Sequence, residues 1–344
     1  GHTYVFGGDR GFQSDAPRVM AGLMGVDFDD HDQAAYHRIK EILPGDNSDP
    51  QYFSPLQAPD CKIRSGDYLI AVDGKEIPRA ENVYAAFLGK QNALVSVTYN
   101  AEPTAEGADT YTFEPIGNDM ELRYLRWVNQ RRAMVDEATQ GTVAYVHLPD
   151  MGERGLIEFA KVYYSSFYKK AFIIDDRYNG GGFTADMILD RLERKLWSLT
   201  IPREGNILRN PENVFYGPLT VIVNEDTGSC GEYFATAFRA KKMGKIIGMR
   251  TWGGAVGIEP HQNLVDGGVV TPPQFAPYSP FTNDWQFEGW GVEPDIMVQN
   301  LPGDVIRGKD AQLEKAIETA LGEMKDFFKE WDELPPPPAY PDKR

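Results

Sequence analysis

Residues 219–238 read LTVIVNEDTGSCGEYFATAF. The first five are apolar and rich in β-branched side chains, the pattern of a buried strand. Turn-forming residues follow, and GEYFATAFRAKK (231–242) reads as a helix. Between strand and helix stands Gly228-Ser229-Cys230-Gly231. A tight corner of this kind presents a side chain at the strand's end, with the next N–H facing the same pocket, as a nucleophile elbow does. The stretch is not G-x-S-x-G, however, and a serine capping the helix N-terminus is very common. Taken alone, the pattern favours the cap. Cys230 is the other candidate nucleophile, because a helix N-terminus lowers a thiol's pKa.

Outward from this corner the chain alternates strands and helices, which predicts layered α/β architecture. MELRYLRWVNQRRAMVDEAT (120–139) predicts a helix with an apolar stripe at Leu122, Leu125, Val128 and Met134, stopped by Gly141. VAYVHL (143–148) and AFIIDDR (171–177) predict strands. GLIEFAKVYYSSFY (155–168), TADMILDRLERKLW (184–197) and GKDAQLEKAIETALGEMKDFFKEW (308–331) predict helices. The tail ELPPPPAYPDKR (333–344) is expected to be extended. Residues 18 to about 115 differ. RIKEIL, YLIAVDG, ALVSVTYN and TYTFEPI are short β-type runs separated by Gly, Asp, Asn and Pro, with AEPTAEGADT (101–110) as a hairpin tip. One amphipathic helix, RAENVYAAFLGK (79–90), is predicted to bury Val83, Phe87 and Leu88 on one face. Residues 1–16 read as a strand entering a Gly-rich loop.

The whole chain has 344 residues, 42% hydrophobic and 25% charged, enough for two domains with a sizeable core. A formal net charge of −16 argues against nucleic acid as a partner. No stretch approaches the roughly 18 apolar residues of a membrane helix, so no membrane partner is expected. Two cysteines, Cys61 and Cys230, are too few for a disulfide framework and read as free thiols. The chain opens with Gly-His, not Met, and reads as a fragment or a processed product.

Chemistry is expected in the loops after the strands. AFIIDDRYNGGGF (171–183) is an apolar strand, a charged turn and then Gly180, Gly181 and Gly182. Consecutive glycines let backbone approach a ligand and aim N–H groups at an anion or an oxyanion; a tight turn explains them as well. A serine nucleophile needs a base, and spacing does not select among His2, His31, His37, His147 and His261. WQFEGWGVEPDI (285–296) offers Glu288 and Glu293 as acids in an aromatic, Gly-rich loop.

In this order, HTYVFGGD, SPLQAPDCKIRSGDYLIAVDGKEI, YVHLPDM, IIDDRYNGGGF, GPLTVIVNEDTGSCGEYFATAFR, IIGMRTWGGAVGI, LVDGG, EGWGVEPDI and GKDAQLEKAI resemble the tricorn-type serine peptidases, relatives of the C-terminal processing peptidases. The resemblance covers nearly the whole chain. It implies an α/β fold, with a crotonase/ClpP-like ββα superhelix as catalytic core and an inserted or preceding β-rich PDZ-like domain. The implied division is 1–16 as the end of an upstream subdomain carrying the base, 17–116 as the PDZ-like domain, 117–335 as the peptidase domain and 336–344 as a Pro-rich tail. Further domains are expected upstream. It implies Ser229 as nucleophile, His2 as general base and Glu288 as acidic partner. The amides of Cys230 and Gly182 become the oxyanion hole, and Gly181 and Thr200 contact substrate. The attack would then come from Ser229, with Cys230 contributing its amide and not its sulfur.

Three departures from the family pattern matter. A serine usually precedes the histidine, where Gly1 stands here; another group then orients the imidazole, or Gly1 is foreign to the natural chain. The position that binds a basic P1 side chain in well-known members is Thr200, with Glu204 nearby, so a trypsin-like preference is not expected. Cys230 stands where the family often has Asp. The expected activity is hydrolysis of peptides or oligopeptides without cofactor or metal, by a homo-oligomer, with a hexamer in keeping with the family's rings. The expected compartment is cytoplasmic or periplasmic. A catalytically inactive peptide-binding scaffold on the same fold is the rival reading. Acyl-CoA chemistry of the related crotonase type explains the glycine loop but neither the PDZ module nor Ser229. The PDZ module is expected to dock a peptide C-terminus by strand addition, or to act as a spacer.

Overall fold

The computed structural model describes residues 2–7, 20–202, 204, 206–259, 263–280, 283–285 and 288–328. The Pro-rich tail, Gly1, His261 and most of the 1–16 segment lie outside them. The chain divides into two compact units, Ser14–Gln130 and Gly1–Gln13 with Arg131–Arg344. Strand β1 (Tyr4–Phe6) belongs to the second of these.

The 14–130 unit is β-rich. Its sheet runs β2 (Val26–Phe28), β3 (His37–Ile42), β4 (Tyr68–Val72), β6 (Val95–Asn100), β7 (Asp109–Phe113), with β5 (Lys75–Glu76) hairpinned onto β4. Alternation puts Val95, Val97 and Tyr99 of β6 into a core with Ile39, Ile63, Leu69, Ile77 and Phe87. The 101–108 tip joins β6 to β7 as an antiparallel hairpin. The helix expected over 79–90 is only a 3-10 turn, Val83–Phe87. Val83 and Phe87 are buried, but Leu88 is exposed. Two contacts cut the helix short. Asn82 caps the Tyr84 N–H, which starts it late, and the Phe87 carbonyl accepts from Gly22 N–H of another segment as well as from Lys90 N–H, so the i→i+4 ladder does not continue there.

Helix α1 (Met120–Thr139) follows, and the division between units falls within it. Leu122 and Val128 of the expected stripe are buried; Val135, which lies outside it, is fully buried.

The other unit is built on a parallel sheet in the order β19-β13-β12-β9-β8, namely Ile296–Met297, Gly244–Gly248, Leu219–Val223, Ala171–Asp175 and Val143–His147. Parallel strands need helical crossovers, which bury both faces. Accordingly every residue of β8, β9 and β12 is buried. The helices are α2 (Glu153–Ser166), α3 (Ala185–Leu192), α4 (Cys230–Ala240), α5 (Pro302–Ile306) and α6 (Ala311–Phe327). The α2 helix packs on β8, α6 runs across β9, β12 and β13, and α3 lies on α4. The α3 helix ends five residues short of Trp197, because the chain leaves for the hairpin of β10 (Ser198–Thr200) and β11 (Leu208–Asn210). Short pairings complete the unit: β14 (Gly257–Ile258) with β16 (Pro273–Phe275), β1 with β15 (Val269–Thr271), and β17 (Tyr278–Ser279) with β18 (Asp284–Trp285).

The charged turn after β9 is not solvated. Arg177 is 1% exposed and forks onto two carboxylates. Its Nε and Nη2 donate to Asp175 Oδ1 and Oδ2 (2.8 and 2.6 Å), and its Nη1 and Nη2 to Asp310 Oδ1 and Oδ2 (2.8 and 3.1 Å). Tyr145 OH donates to Asp175, and Asn300 Nδ2 and Leu313 N–H to Asp310. Burial would raise the Asp310 carboxyl, but Arg177 and these donors hold it below its ordinary 3.8. Its contribution is therefore present above the unfolded value and lost as pH falls through the folded one. Asp310→Asn leaves the buried guanidinium with Asp175 as its one carboxylate of these two and should cost about 3 kcal/mol at pH 7. The gap in melting temperature from the unmodified protein should narrow below pH 4. A gap that widens on acidification contradicts this pairing.

Candidate active site

Parallel α/β sheets place their sites at the carboxyl ends of the strands. Here the ends of β9, β12 and β13 lie side by side, with Ile222 beside Asp175 and Val223 beside Gly248. The loops leaving them are 176–184, 224–229 and 249–256.

The Ser229 turn carries the geometry that sequence alone left open. Ser229 stands at the N-cap position of α4, but with φ 50° and ψ −121°. An N-cap residue is normally extended; a positive φ on a serine is strained and persists only where its surroundings impose it. Three contacts impose it. Gly228 N–H donates to the Asn179 carbonyl (2.9 Å), and Ser229 N–H donates to the Gly254 carbonyl (3.0 Å) and to Glu232 Oε2 (3.1 Å). Glu232 is fully buried and gathers three more donors, Thr251 Oγ1 (2.6 Å), Gly253 N–H (2.6 Å) and Gly254 N–H (2.9 Å). Burial pushes its carboxyl upward against the pull of those donors. Sequence reading missed Glu232, although Ser229-x-x-Glu232 is the spacing in which a helix's third residue reaches back to the cap.

The glycine run meets this turn. A Cβ on Gly181 (φ 101°) would lie 2.6 Å from Ser229 Cβ, 2.9 Å from Ser229 Oγ and 2.9 Å from Cys230 N. Gly181 thus abuts both the hydroxyl and the amide that follows it. Gly182 (φ 143°) is pressed on another backbone, where a Cβ would come within 2.1 Å of the Met151 carbonyl oxygen. That oxygen accepts from Phe183 and Thr184 N–H, and Met151 N–H donates to the Gly181 carbonyl.

Trp252 leads toward His2. Its ring covers Gly228, where a Cβ would fall 2.8 Å from Cε3, and its centroid is 4.9 Å from that of His2. Tyr4 flanks His2 on β1, which is held to β15 by Thr3 and Thr271. His2 Nδ1 is buried with no hydrogen-bond partner among the described residues. His147 is instead fixed to the Arg177 carbonyl in the core, where burial lowers its pKa. His37 lies in the other unit on the Glu81 carbonyl. Glu288 Oε2 accepts from Ala255 and Val256 N–H (2.8 and 2.7 Å), so it clamps the loop whose Gly254 carbonyl holds Ser229. Its carboxyl lies below the ordinary value; burial opposes this, and those two amides are among the groups that favour it. Thr200 sits on the β10–β11 hairpin, its hydroxyl accepting from Asn210.

Burial raises the Cys230 thiol to about 11. At neutral pH only about one thiol in 10^4 is then ionised, so the helix N-terminus does not activate it as a thiolate. Cys230→Ala should keep peptide turnover within about threefold, since the amide stays. A loss of 100-fold in steady-state assays counts against a backbone role. Among the described residues no group of His, Cys, Asp and Glu is arranged to hold a metal, and no helix is long and apolar enough to cross a membrane.

Residues 142–298 match peptidase family S41, and residues 22–117 match the tricorn protease PDZ domain. The chain is 34% identical over 326 residues to the tricorn protease of Thermoplasma volcanium, covering 95% of this chain and 31% of that protein. It is 32% identical over 325 residues to a putative tricorn-like protease C-terminal subunit of Sulfurisphaera tokodaii, covering 94% of this chain and 37% of that one. The crystal structure of the tricorn protease superposes with a TM-score of 0.80 at 31% identity, over 89% of this chain and 29% of the other. The chain therefore carries a tricorn-type PDZ domain ahead of a peptidase family S41 domain. It spans about a third of the length of the curated relatives it matches.

Proposed function

We propose that the chain hydrolyses peptides through an acyl-enzyme on Ser229. The observation that carries this reading is the imposed positive φ of Ser229 at the end of β12, with Gly181 against its hydroxyl. In this mechanism His2 takes the hydroxyl proton as Oγ attacks the scissile carbonyl, and returns it to the leaving amine. The amides of Cys230 and Gly182 hold the oxyanion, each worth about 3–4 kcal/mol. Gly181 leaves room for the acyl carbon. Glu288 keeps the 253–256 loop, and through it the serine, in place. Water then releases the acyl group. Retention of a strained serine turn favours this over an inactive scaffold, since strain of this kind is kept where function uses it.

Around this core we take 17–116 as the PDZ-like domain and 117–335 as the peptidase domain, wound as a crotonase/ClpP-like superhelix. We also infer a homo-oligomer, a hexameric ring in particular, acting in the cytoplasm, where two free thiols are at home. Thr200 gives no carboxylate to a basic P1 side chain, so cleavage should not be trypsin-like. Digestion of a peptide library by the full-length protein, read by mass spectrometry, tests both points. Cleavage confined to Lys and Arg overturns the specificity, and no cleavage overturns the function.

A further inference from the structure

Asp176 and Asn179 lie in the loop after β9, and both are completely buried. The Asn179 carbonyl accepts from Gly228 N–H (2.9 Å), one residue before Ser229. Its side-chain Oδ1 accepts from Gly181 N–H (2.9 Å), and its Nδ2 donates to Asp176 Oδ1 (2.8 Å). The first turn of α4 rests on the same residue, since a Cβ on Gly231 would lie 3.2 Å from the Asn179 carbonyl oxygen. Asp176 in turn is anchored by its backbone to the neighbouring strand: its N–H donates to Ile222 and its carbonyl accepts from Thr227 Oγ1. Its Oδ2 is buried with no partner among the described residues. A buried carboxyl with an unused oxygen is costly, and the bond it does make is to Asn179.

We propose that Asn179, fixed by Asp176, is a positioning residue that locks the Gly180–Gly182 loop to the Ser229 turn and so sets the spacing of the oxyanion-binding amides. The proposal rests on the peptidase reading above. The side chain of Asn179 holds the glycine loop and its main-chain carbonyl holds the Ser229 turn, so one buried residue ties the two together. Burial, with the Asp175 and Glu232 carboxylates nearby, drives the Asp176 carboxyl well above its usual range despite the Asn179 bond. An uncharged partner suits a pair buried this deeply.

The substitutions separate positioning from folding. Asn179→Asp keeps an acceptor for Gly181 but turns the donor facing Asp176 into an oxygen, setting two carboxyls against each other. Asp176→Asn keeps the acceptor that Asn179 uses. The double variant D176N/N179D restores a donor–acceptor pair with its direction reversed. Peptide hydrolysis and fluorophosphonate titration of the full-length protein provide the readout. We expect Asn179→Asp and Asn179→Ala to lower kcat about 100-fold, with KM within about threefold and close to one titratable serine per chain. Asp176→Asn should stay within about threefold in kcat, and D176N/N179D should recover at least tenfold over Asn179→Asp. Activity that falls only in proportion to the titrated serine makes the role structural and overturns the proposal, as does an Asn179→Asp enzyme with unchanged kcat. If Ser229→Ala still cleaves peptide, the peptidase reading itself fails. If Ser229 is required and the Asn179 variants turn over normally, only the positioning role fails.

Discussion

Ser229→Ala should lower kcat for peptide hydrolysis by about 10^6-fold, the loss seen when a serine peptidase is stripped of its nucleophile. Folding should hardly change. The contacts that impose the turn run through the Ser229 N–H, the Gly228 N–H and Glu232, and the Cβ remains to bear the same backbone strain. Steady-state kinetics and a thermal melt on one preparation read both quantities. A loss of activity accompanied by a large drop in melting temperature would point to a structural serine, a cap and nothing more. Activity retained within tenfold would remove Ser229 from the chemistry.

Gly181→Ala should be nearly as damaging, for a different reason. The methyl would sit 2.9 Å from the Ser229 hydroxyl oxygen and 2.6 Å from its Cβ, closer than unbonded atoms of these kinds approach. The backbone at φ 101° adds strain of about 1–3 kcal/mol for any side chain. The loop must retreat from Ser229, and the space for the tetrahedral carbon closes with it. We expect kcat/KM to fall at least 100-fold, while Gly180→Ala, whose Cβ meets nothing within 4 Å, should be tolerated. Comparable losses in both variants, measured side by side on one peptide, would show that the run is sensitive as a flexible segment and not at a point of contact.

How much of this was legible beforehand differs by level. The corner at 219–238 was, because a β-branched apolar run, small turn residues and a resumed helical period agree locally. Its Ser229 was legible only as a position; the positive φ that separates it from an ordinary cap arises from Glu232 together with Asn179 and Gly254, the last two distant in sequence. Glu232 was accessible through its cap spacing. Asp176 and Asn179 were not, since consecutive charges after a strand read only as a charged turn, whereas bonds to Ile222, Thr227 and Gly228, distant in sequence, hold these two in the core. The 79–90 segment failed in the opposite sense. Val83 and Phe87 of its apolar face are buried, but Leu88 is exposed, and the Phe87 carbonyl found a partner in another segment.

The central claim is that Ser229, at the carboxyl end of β12, is the attacking group. Labelling the full-length protein with a fluorophosphonate and mapping the adduct by mass spectrometry tests it most directly. One adduct is expected, on the peptide containing Ser229, formed in Cys230→Ala and absent from Ser229→Ala. An adduct on another residue, or peptide cleavage that persists in a preparation carrying none, would contradict it.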